Sequence, residues 1–305
     1  MSGVVSLIAS STETICALGY EGALVGRSHE CDFPPFVRSL PVCTEAKFEL
    51  TGSSREIDER VRETLKSEGS VYRTHVDLLE TLTPEVIVTQ EQCEICAVVL
   101  KDVEEAVSGF SEATPQIVSL APGSLESVYA GIVEIAGALG DVAKGETLVE
   151  EMRTRMEGVR IRTEASGRSK PRVACVEWIE PLMVAGNWIP ELVDVAGGVD
   201  VLGPRSKHSE AIDLDRLIAA DPDVVVVMLC GWDIEKTILE SEPLFVSEAA
   251  QELRAVRAGK VFYTNGNHYF NRPGPRLADS VEILGEILYP DMVDFGYQGR
   301  AWVKR

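Results

Sequence analysis

Leu82-Thr83-Pro84-Glu85-Val86-Ile87-Val88 and Ala220-Asp221-Pro222-Asp223-Val224-Val225-Val226 share one grammar. Each places the end of a helical pattern before a proline, then an acid, then a β-branched run. Proline cannot continue a helix, because it lacks the N–H and its ring collides with the preceding turn. A short run of valine and isoleucine with no polar alternation reads as a parallel strand buried on both faces. The same punctuation recurring about 140 residues apart (roughly one domain length) suggests two lobes built alike.

The flanking segments keep the same order in both halves. Residues 4–9, 23–27, 86–89 and 116–120 read as strands in the first half; 172–177, 223–229 and 260–264 do so in the second. Residues 12–18, closed by Gly19, and 188–195, closed by Gly197-Gly198, read as helices with glycine at the C-terminal stop. Strands alternating with helices imply layered α/β architecture with parallel sheets. Between the halves, residues 125–162 carry apolar side chains at helical spacing: Val128, Ile132, Ile135, Leu139, Leu148, Met152, Met156 and Val159. Gly140-Asp141 is the expected break between two helices there. The predicted organisation is an N-terminal α/β lobe over 1–122, a helical connector over 123–168 and a C-terminal α/β lobe over 169–305. A helical connector is stiffer than a Gly/Ser linker, so small hinge motion is expected.

Composition narrows the function classes. The chain has 305 residues, 45% hydrophobic and 26% charged, with 49 acidic against 29 basic residues and a net charge of −20. Such a surface repels nucleic acid and anionic membrane, so neither is expected as a partner. No stretch approaches the roughly 18 apolar residues of a membrane span. Residues 1–13 read as a strand running into polar residues, without the basic, apolar and small-residue regions of a leader. The seven cysteines are scattered and odd in number, too sparse for a disulfide scaffold. These features predict a cytoplasmic location with reduced thiols.

In open parallel sheets, ligands sit beyond the carboxyl ends of the strands. That rule selects residues 10–13, 28–35 and 90–96 in the first lobe, and 178–188, 230–233 and 265–276 in the second. Large aromatics gather there: Phe33, Trp178, Trp188, Trp232, Tyr269 and Phe270. Aromatics at loop tips offer flat apolar surface to a ligand. Ser11, Thr12 and Arg272 lie in the same loops and complete the candidate ligand-binding set. His29, His208 and His268 fall in or near these loops, but two lobes supply them and no protein-held metal site is assigned. Cys93 and Cys96 form a C-x-x-C after a strand, and with Cys31 are the candidate thiol or soft-ligand positions. A lone C-x-x-C is half a zinc site at most. There is no phosphate loop, dinucleotide fingerprint, nucleophile elbow or H-E-x-x-H motif. The chain therefore reads as a binder and not an enzyme.

An ordered set of motifs resembles a family. Val5-Ser6-Leu7-Ile8-Ala9-Ser10-Ser11-Thr12-Glu13 followed by Ala17-Leu18-Gly19 is similar to the start of cobalamin- and siderophore-type substrate-binding proteins of ABC importers. Asp32-Phe33-Pro34-Pro35 resembles their D-[YF]-P-P loop, and residues 82–87 their strand lead-in. Ala185-Gly186, Leu192-Val193 and Ala196-Gly197-Gly198 resemble the second-lobe strand-loop-helix. Tyr269-Phe270-Asn271-Arg272-Pro273-Gly274-Pro275-Arg276-Leu277 is similar to the final loop and helix start.

The resemblance implies two doubly wound α/β lobes joined by a long backbone helix, the class III periplasmic-binding-protein-like fold. It also implies a corrinoid such as cobalamin held in a cleft between the lobes, with Phe33, Trp188, Tyr269 and Phe270 at ligand-facing positions, and an ABC transporter permease as partner. The chain departs from exported relatives in its missing leader pattern and in Cys31, Cys93 and Cys96. Those departures suggest a cytoplasmic branch that stores, chaperones or senses a corrinoid. Two other readings remain open: a cytoplasmic thiol- or metal-dependent enzyme on the same scaffold, and a binder of haem or a ferric chelate.

Overall fold

Three residues that lose all contact with solvent, Val4–Ser6, form the first strand, β1. After it come α1 (Ala9–Ala17), β2 (Leu24–Arg27), β3 (Thr44–Ala46), α2 (Ser54–Glu68), β4 (Tyr72–Thr74), α3 (Val76–Leu82), β5 (Val86–Gln90), α4 (Leu100–Val107), β6 (Gln116–Leu120), α5 (Leu125–Ala138) and α6 (Val142–Glu164). The structure, a computed structural model, describes residues 3–91, 98, 100–110 and 114–305. The chain divides into two units. The first comprises Met1–Gly52, Glu56–Pro122 and Glu126–Glu150; the second comprises Ser53–Arg55, Gly123–Leu125 and Glu151–Arg305. The longest boundary thus falls inside α6, after Glu150.

In the first unit a four-stranded parallel sheet runs β2-β1-β5-β6. All five residues of β5 are buried, as a valine- and isoleucine-rich central strand requires. Val4, Val86 and Val88 of the sheet join Ile15 and Leu18 of the first helical stretch and Ile135 and Leu139 beside α5 in one core. The antiparallel pair β3-β4 forms a separate two-stranded sheet.

The second unit contains β7 (Arg172–Trp178), β8 (Met183–Val184), α7 (Ile189–Val195), β9 (Val199–Asp200), β10 (Glu210–Ala211), α8 (Leu214–Ala220), β11 (Val224–Val227), α9 (Ile234–Val246), α10 (Arg254–Arg257), β12 (Val261–Thr264), α11 (Gly266–Tyr269), α12 (Leu277–Leu288) and β13 (Trp302–Lys304). Its sheet runs β10-β8-β7-β11-β12-β13, with β9 added beside β7. The centre, β7-β11-β12, is parallel, and β8 and β13 pair antiparallel at its flanks.

The two sequence repeats fold alike. α3 ends at Thr83 and α8 ends at Asp221, each in the left-handed conformation, with φ of 42° and 40°. A left-handed residue turns the chain out of the helix, and the following proline prevents any return to it. The acid after the proline then opens the strand. In the second unit that acid is Asp223, whose carboxylate accepts the Arg172 amide at 2.9 Å and pairs with Arg254 at 2.6 Å. The same guanidinium holds the Asp221 carboxyl below the usual carboxylate range. Breaks and bounds otherwise follow the sequence closely: the two helices of the connector region part at residues 139–141, as Gly140-Asp141 requires.

The C-terminal segment is tied into the second unit by a buried acid. Glu286 on α12 is only 3% exposed. Its carboxylate accepts the backbone amides of Phe295 and Tyr297 and the indole N–H of Trp302, the last at 2.7 Å. One turn earlier Glu282 pairs with Arg155 of α6 at 2.7 Å and accepts the Tyr297 hydroxyl at 3.0 Å. Trp302 packs edge-on against Phe262 with centroids 5.7 Å apart, which seats β13 on β12. Buried donors stripped of an acceptor cost about 1–3 kcal/mol each. Glu286→Ala should therefore lower unfolding free energy by on the order of 3 kcal/mol, and Glu286→Gln, which keeps one acceptor oxygen, by about half as much. Denaturant unfolding with hydrogen exchange across Trp302–Lys304 measures both; unchanged stability and protection in Glu286→Ala would remove this acid from the account.

Candidate ligand-binding loops

In the second unit the chain leaves β7, β11 and β12 at the same edge of a parallel sheet. The three exits are bound to one another through the main chain. The Cys230 amide donates to Glu177 O at 3.1 Å, and the Asn267 amide donates to Trp232 O at 3.2 Å. Gly231 makes the turn after β11 at φ 75°, a region glycine enters without strain. Gly266, the first residue of α11, lies so close to β11 that an added Cβ would sit 2.3 Å from Leu229 O. Only glycine permits that approach. Asn265 caps the short helix by accepting the His268 amide at 2.9 Å.

On these exits stand two tryptophans in contact. The Trp178 and Trp232 rings have centroids 5.0 Å apart and planes inclined at 35°. The Trp178 indole N–H donates to Glu180 O at 3.1 Å, and Lys236 Nζ lies 4.9 Å from the Trp232 ring centre. Both rings are half-buried, so each keeps open surface. An offset aromatic pair on a braced support offers a flat apolar ligand a ready surface.

Beside them, Glu177 ends the buried part of β7. Ala174 and Val176 face the main core of this unit, so Cys175 points to the opposite face; at Glu177 the pairing with β8 is irregular, between Val176 and Trp178. Burial pushes the Glu177 carboxyl up to about 7, against a partial offset from its hydrogen bond with Ser209. Ser209 in turn accepts the Gly186 amide at 3.0 Å. Cys175 is fully buried and its thiol is held far above the usual range by burial and by Asp200. Cys230 is the exposed thiol of this edge.

The other candidates of this unit divide by burial. Trp188 is 7% exposed, with its indole N–H donating to Phe270 O at 3.0 Å, and Phe270 has no exposed surface. Both brace the loops from beneath, because an indole N–H and a buried carbonyl each need a partner. Tyr269 is half-buried and packs edge-on against Tyr297 at 5.9 Å, with Arg276 over its ring at 5.5 Å. Arg272 is buried and donates to Asn267 Oδ1 at 3.0 Å. His208 is exposed, and His268 lies 6.4 Å from Tyr269, ring to ring.

In the first unit, residues 10–13 are not a loop. β1 is so short that α1 starts at Ala9, and the hydroxyls of its first turn face inward. Ser11 and Thr12 have no exposed surface. Ser11 Oγ lies 2.5 Å from Ser6 Oγ, and Thr12 Oγ1 lies 2.7 Å from Ser6 Oγ and 3.0 Å from Cys31 Sγ. These side chains fasten α1 to β1 and to the loop after β2, so they present nothing to a ligand here. Cys31 is buried in the same cluster and is a packing thiol. Cys93 and Cys96 lie outside the described residues. His29 is fixed structurally, with Nδ1 2.8 Å from Thr44 Oγ1 and its ring 5.3 Å from Tyr72. Among the described residues no cluster of His, Cys, Asp or Glu could hold a metal ion. Phe33 does project: it is 38% exposed, with Phe36 exposed on the turn that follows.

Sequence reasoning passed over Glu177 and treated the edge by its aromatics alone. No local pattern marked it, because the pairing of β7 is irregular at this residue and breaks the strand's alternation.

Comparison with known proteins places the chain in a family. The model of the family described as "Periplasmic binding protein" matches residues 4–267. A Bacillus subtilis (strain 168) protein named as the uncharacterized ABC transporter substrate-binding lipoprotein YvrC is 21% identical over 294 residues, which is 94% of this chain and 80% of that protein. Among solved structures, a periplasmic heme-binding protein from Pseudomonas aeruginosa matches with a TM-score of 0.71 at 19% identity, covering 96% of this chain and 94% of the other. The periplasmic vitamin B12 binding protein BtuF of Vibrio cholerae matches with a TM-score of 0.67 at 18% identity, covering 94% and 96%. At such identities the likeness is one of fold, and it agrees with the bilobal α/β class read from the sequence.

The expected cytoplasmic location is overturned by these matches, since the family and its similar members are named periplasmic or lipoprotein. Neither the start of the chain nor its scattered cysteines reports a compartment, and thiols as deeply packed as Cys175 are protected wherever the protein resides. A match over most of its length makes this chain a binding protein and not an enzyme: it belongs to the periplasmic binding protein family.

Proposed function

We propose that this protein is the substrate-binding component of an ABC-type importer, working outside the cytoplasm, and that its ligand is a corrinoid of the cobalamin type. The observation that supports the ligand class is the half-exposed Trp178–Trp232 pair on backbone-braced strand exits. A corrin is broad, apolar across its ring and fringed with amides, so it suits aromatic faces flanked by neutral hydrogen-bonding groups. Phe33 is an exposed aromatic of the first unit's loops and is a candidate ligand contact of that unit. The partner is the membrane permease of the importer. Haem is the second reading, favoured by the named ligand of the Pseudomonas aeruginosa structural neighbour.

Titration with cyanocobalamin and with haemin, followed by tryptophan fluorescence and ligand absorbance, should give saturable quenching with the corrinoid. Trp178→Ala and Trp232→Ala should each weaken binding about tenfold, since an aromatic contact contributes about 0.5–1.5 kcal/mol beyond its area. Gly266→Ala should weaken it as well, by forcing α11 off Leu229 O, and should cost about 1–3 kcal/mol of stability. Absence of quenching and of spectral change with cyanocobalamin up to tens of micromolar, on the order of the weakest affinity a capture protein could use, would exclude the corrinoid. Saturable haemin binding in that case would install the second reading.

A further inference from the structure

The exposed aromatics of the first unit ride on a loop with few apolar anchors. Between β2 and β3, Phe33, Pro35 and Phe36 are exposed, while Val37 is buried in the core and Leu40 packs against it. Arg27, the last residue of β2, supplies a second hold. Its main chain closes the loop: the amide donates to Pro41 O at 2.9 Å and the carbonyl accepts the Cys43 amide at 2.8 Å. Its side chain reaches inside: Nη1 donates to Ser28 O at 2.9 Å and to Cys31 O at 3.1 Å, and Nη2 donates to Arg38 O at 3.2 Å. Cys31 and Arg38 bracket the segment that carries Phe33 and Phe36. Inside the bracket Pro34 and Pro35 fix their own φ, and a 3-10 helix spans Pro35–Ser39, with the Val37 amide donating to Pro34 O at 3.0 Å.

Arg27 does this without an acid. Among the described residues no carboxylate pairs with it: Glu30 lies 3.4 Å from His29, and Asp32 lies 3.8 Å from Arg38. Its Nε is buried with no hydrogen-bond partner. A cation kept for its charge would meet a carboxylate, and a side chain kept for packing would be apolar. A guanidinium directed at three carbonyls is suited to span the two ends of a loop with its rigid fork of donors.

We propose that Arg27 is a positioning residue for ligand binding: its guanidinium presets the loop so that Phe33 meets the ligand already ordered, while Arg27 itself does not touch it. The assignment rests on Phe33 being a ligand contact, as the corrinoid reading has it. Ordering the loop in advance removes that entropy cost from the binding step. A lysine keeps the charge and an apolar stem, but its point ammonium cannot hold Ser28, Cys31 and Arg38 together as the fork does.

The test is a double-mutant cycle on the full chain with cyanocobalamin as the probe, together with hydrogen exchange at the Cys31, Val37 and Leu40 amides in the absence of ligand. Arg27→Lys should speed exchange at these amides by at least about fivefold. It should also weaken cyanocobalamin binding about tenfold, the loss expected of Phe33→Ala. In the Phe33→Ala background the same substitution should cost less than about twofold, because the contact it positions is gone. A merely structural role would speed exchange and lower stability with affinity unchanged. A direct contact between Arg27 and the ligand would give equal losses in both backgrounds. Either result would overturn the assignment. Arg27→Gln takes the place of Arg27→Lys in the cycle if the latter does not fold. Failure of the wild type to bind cyanocobalamin would overturn the corrinoid reading alone, and the cycle is then read with haemin; binding of neither would overturn both. Unchanged exchange in Arg27→Lys would overturn the positioning role whatever the ligand.

Discussion

Parallel strands of valine and isoleucine must be covered on both faces, and this requirement organises the molecule. Every residue of β5 and β11 is buried. A chain that buries such strands has to return each time over the sheet through a helix, which makes the strands parallel and collects their exits at one edge. The Pro-acid lead-in keeps the helix from running into the strand, and Thr83 and Asp221 supply the same left-handed turn in each unit. The clustered strand-end loops are a consequence of this layering. Their residues are free to carry aromatics because the strands beneath them already supply the core.

Much of this was legible before any coordinates. The buried strands, the break at Gly140-Asp141 and the helix stop before Pro222 follow from residue type and spacing, and each lies within a residue or two of its expected place except β1, which ends at Ser6 where the apolar run reads on to Ala9. What escaped were short or antiparallel elements. β8, β9 and β10 have only two residues each, too few to show a period, and β13 is held by pairing to Phe262, Tyr263 and Thr264 at a distance no local pattern records. The buried acid Glu286, which anchors that last strand, reads in sequence as one more surface charge of an acidic chain.

The site was half legible for a related reason. Position in a strand-end loop placed Trp178 and Trp232 at the ends of the strands, but did not tell which aromatics stay open. Trp178 and Trp232 keep exposed faces, whereas Trp188 and Phe270 turn down and join through an indole-to-carbonyl bond. Ser11 and Thr12 were drawn to the ligand by β1's brevity: a strand three residues long brings helix hydroxyls to the place where a loop was expected. Glu177 shows the converse, a polar residue hidden in a strand pattern whose chemistry depends on what surrounds it.

The account rests on a ligand meeting the Trp178–Trp232 surface. A crystal structure of the protein grown with cyanocobalamin tests this most directly. The expected result is a corrin in van der Waals contact with at least one of the two indoles. A corrin bound elsewhere on the chain, with both indoles still facing water, would contradict it.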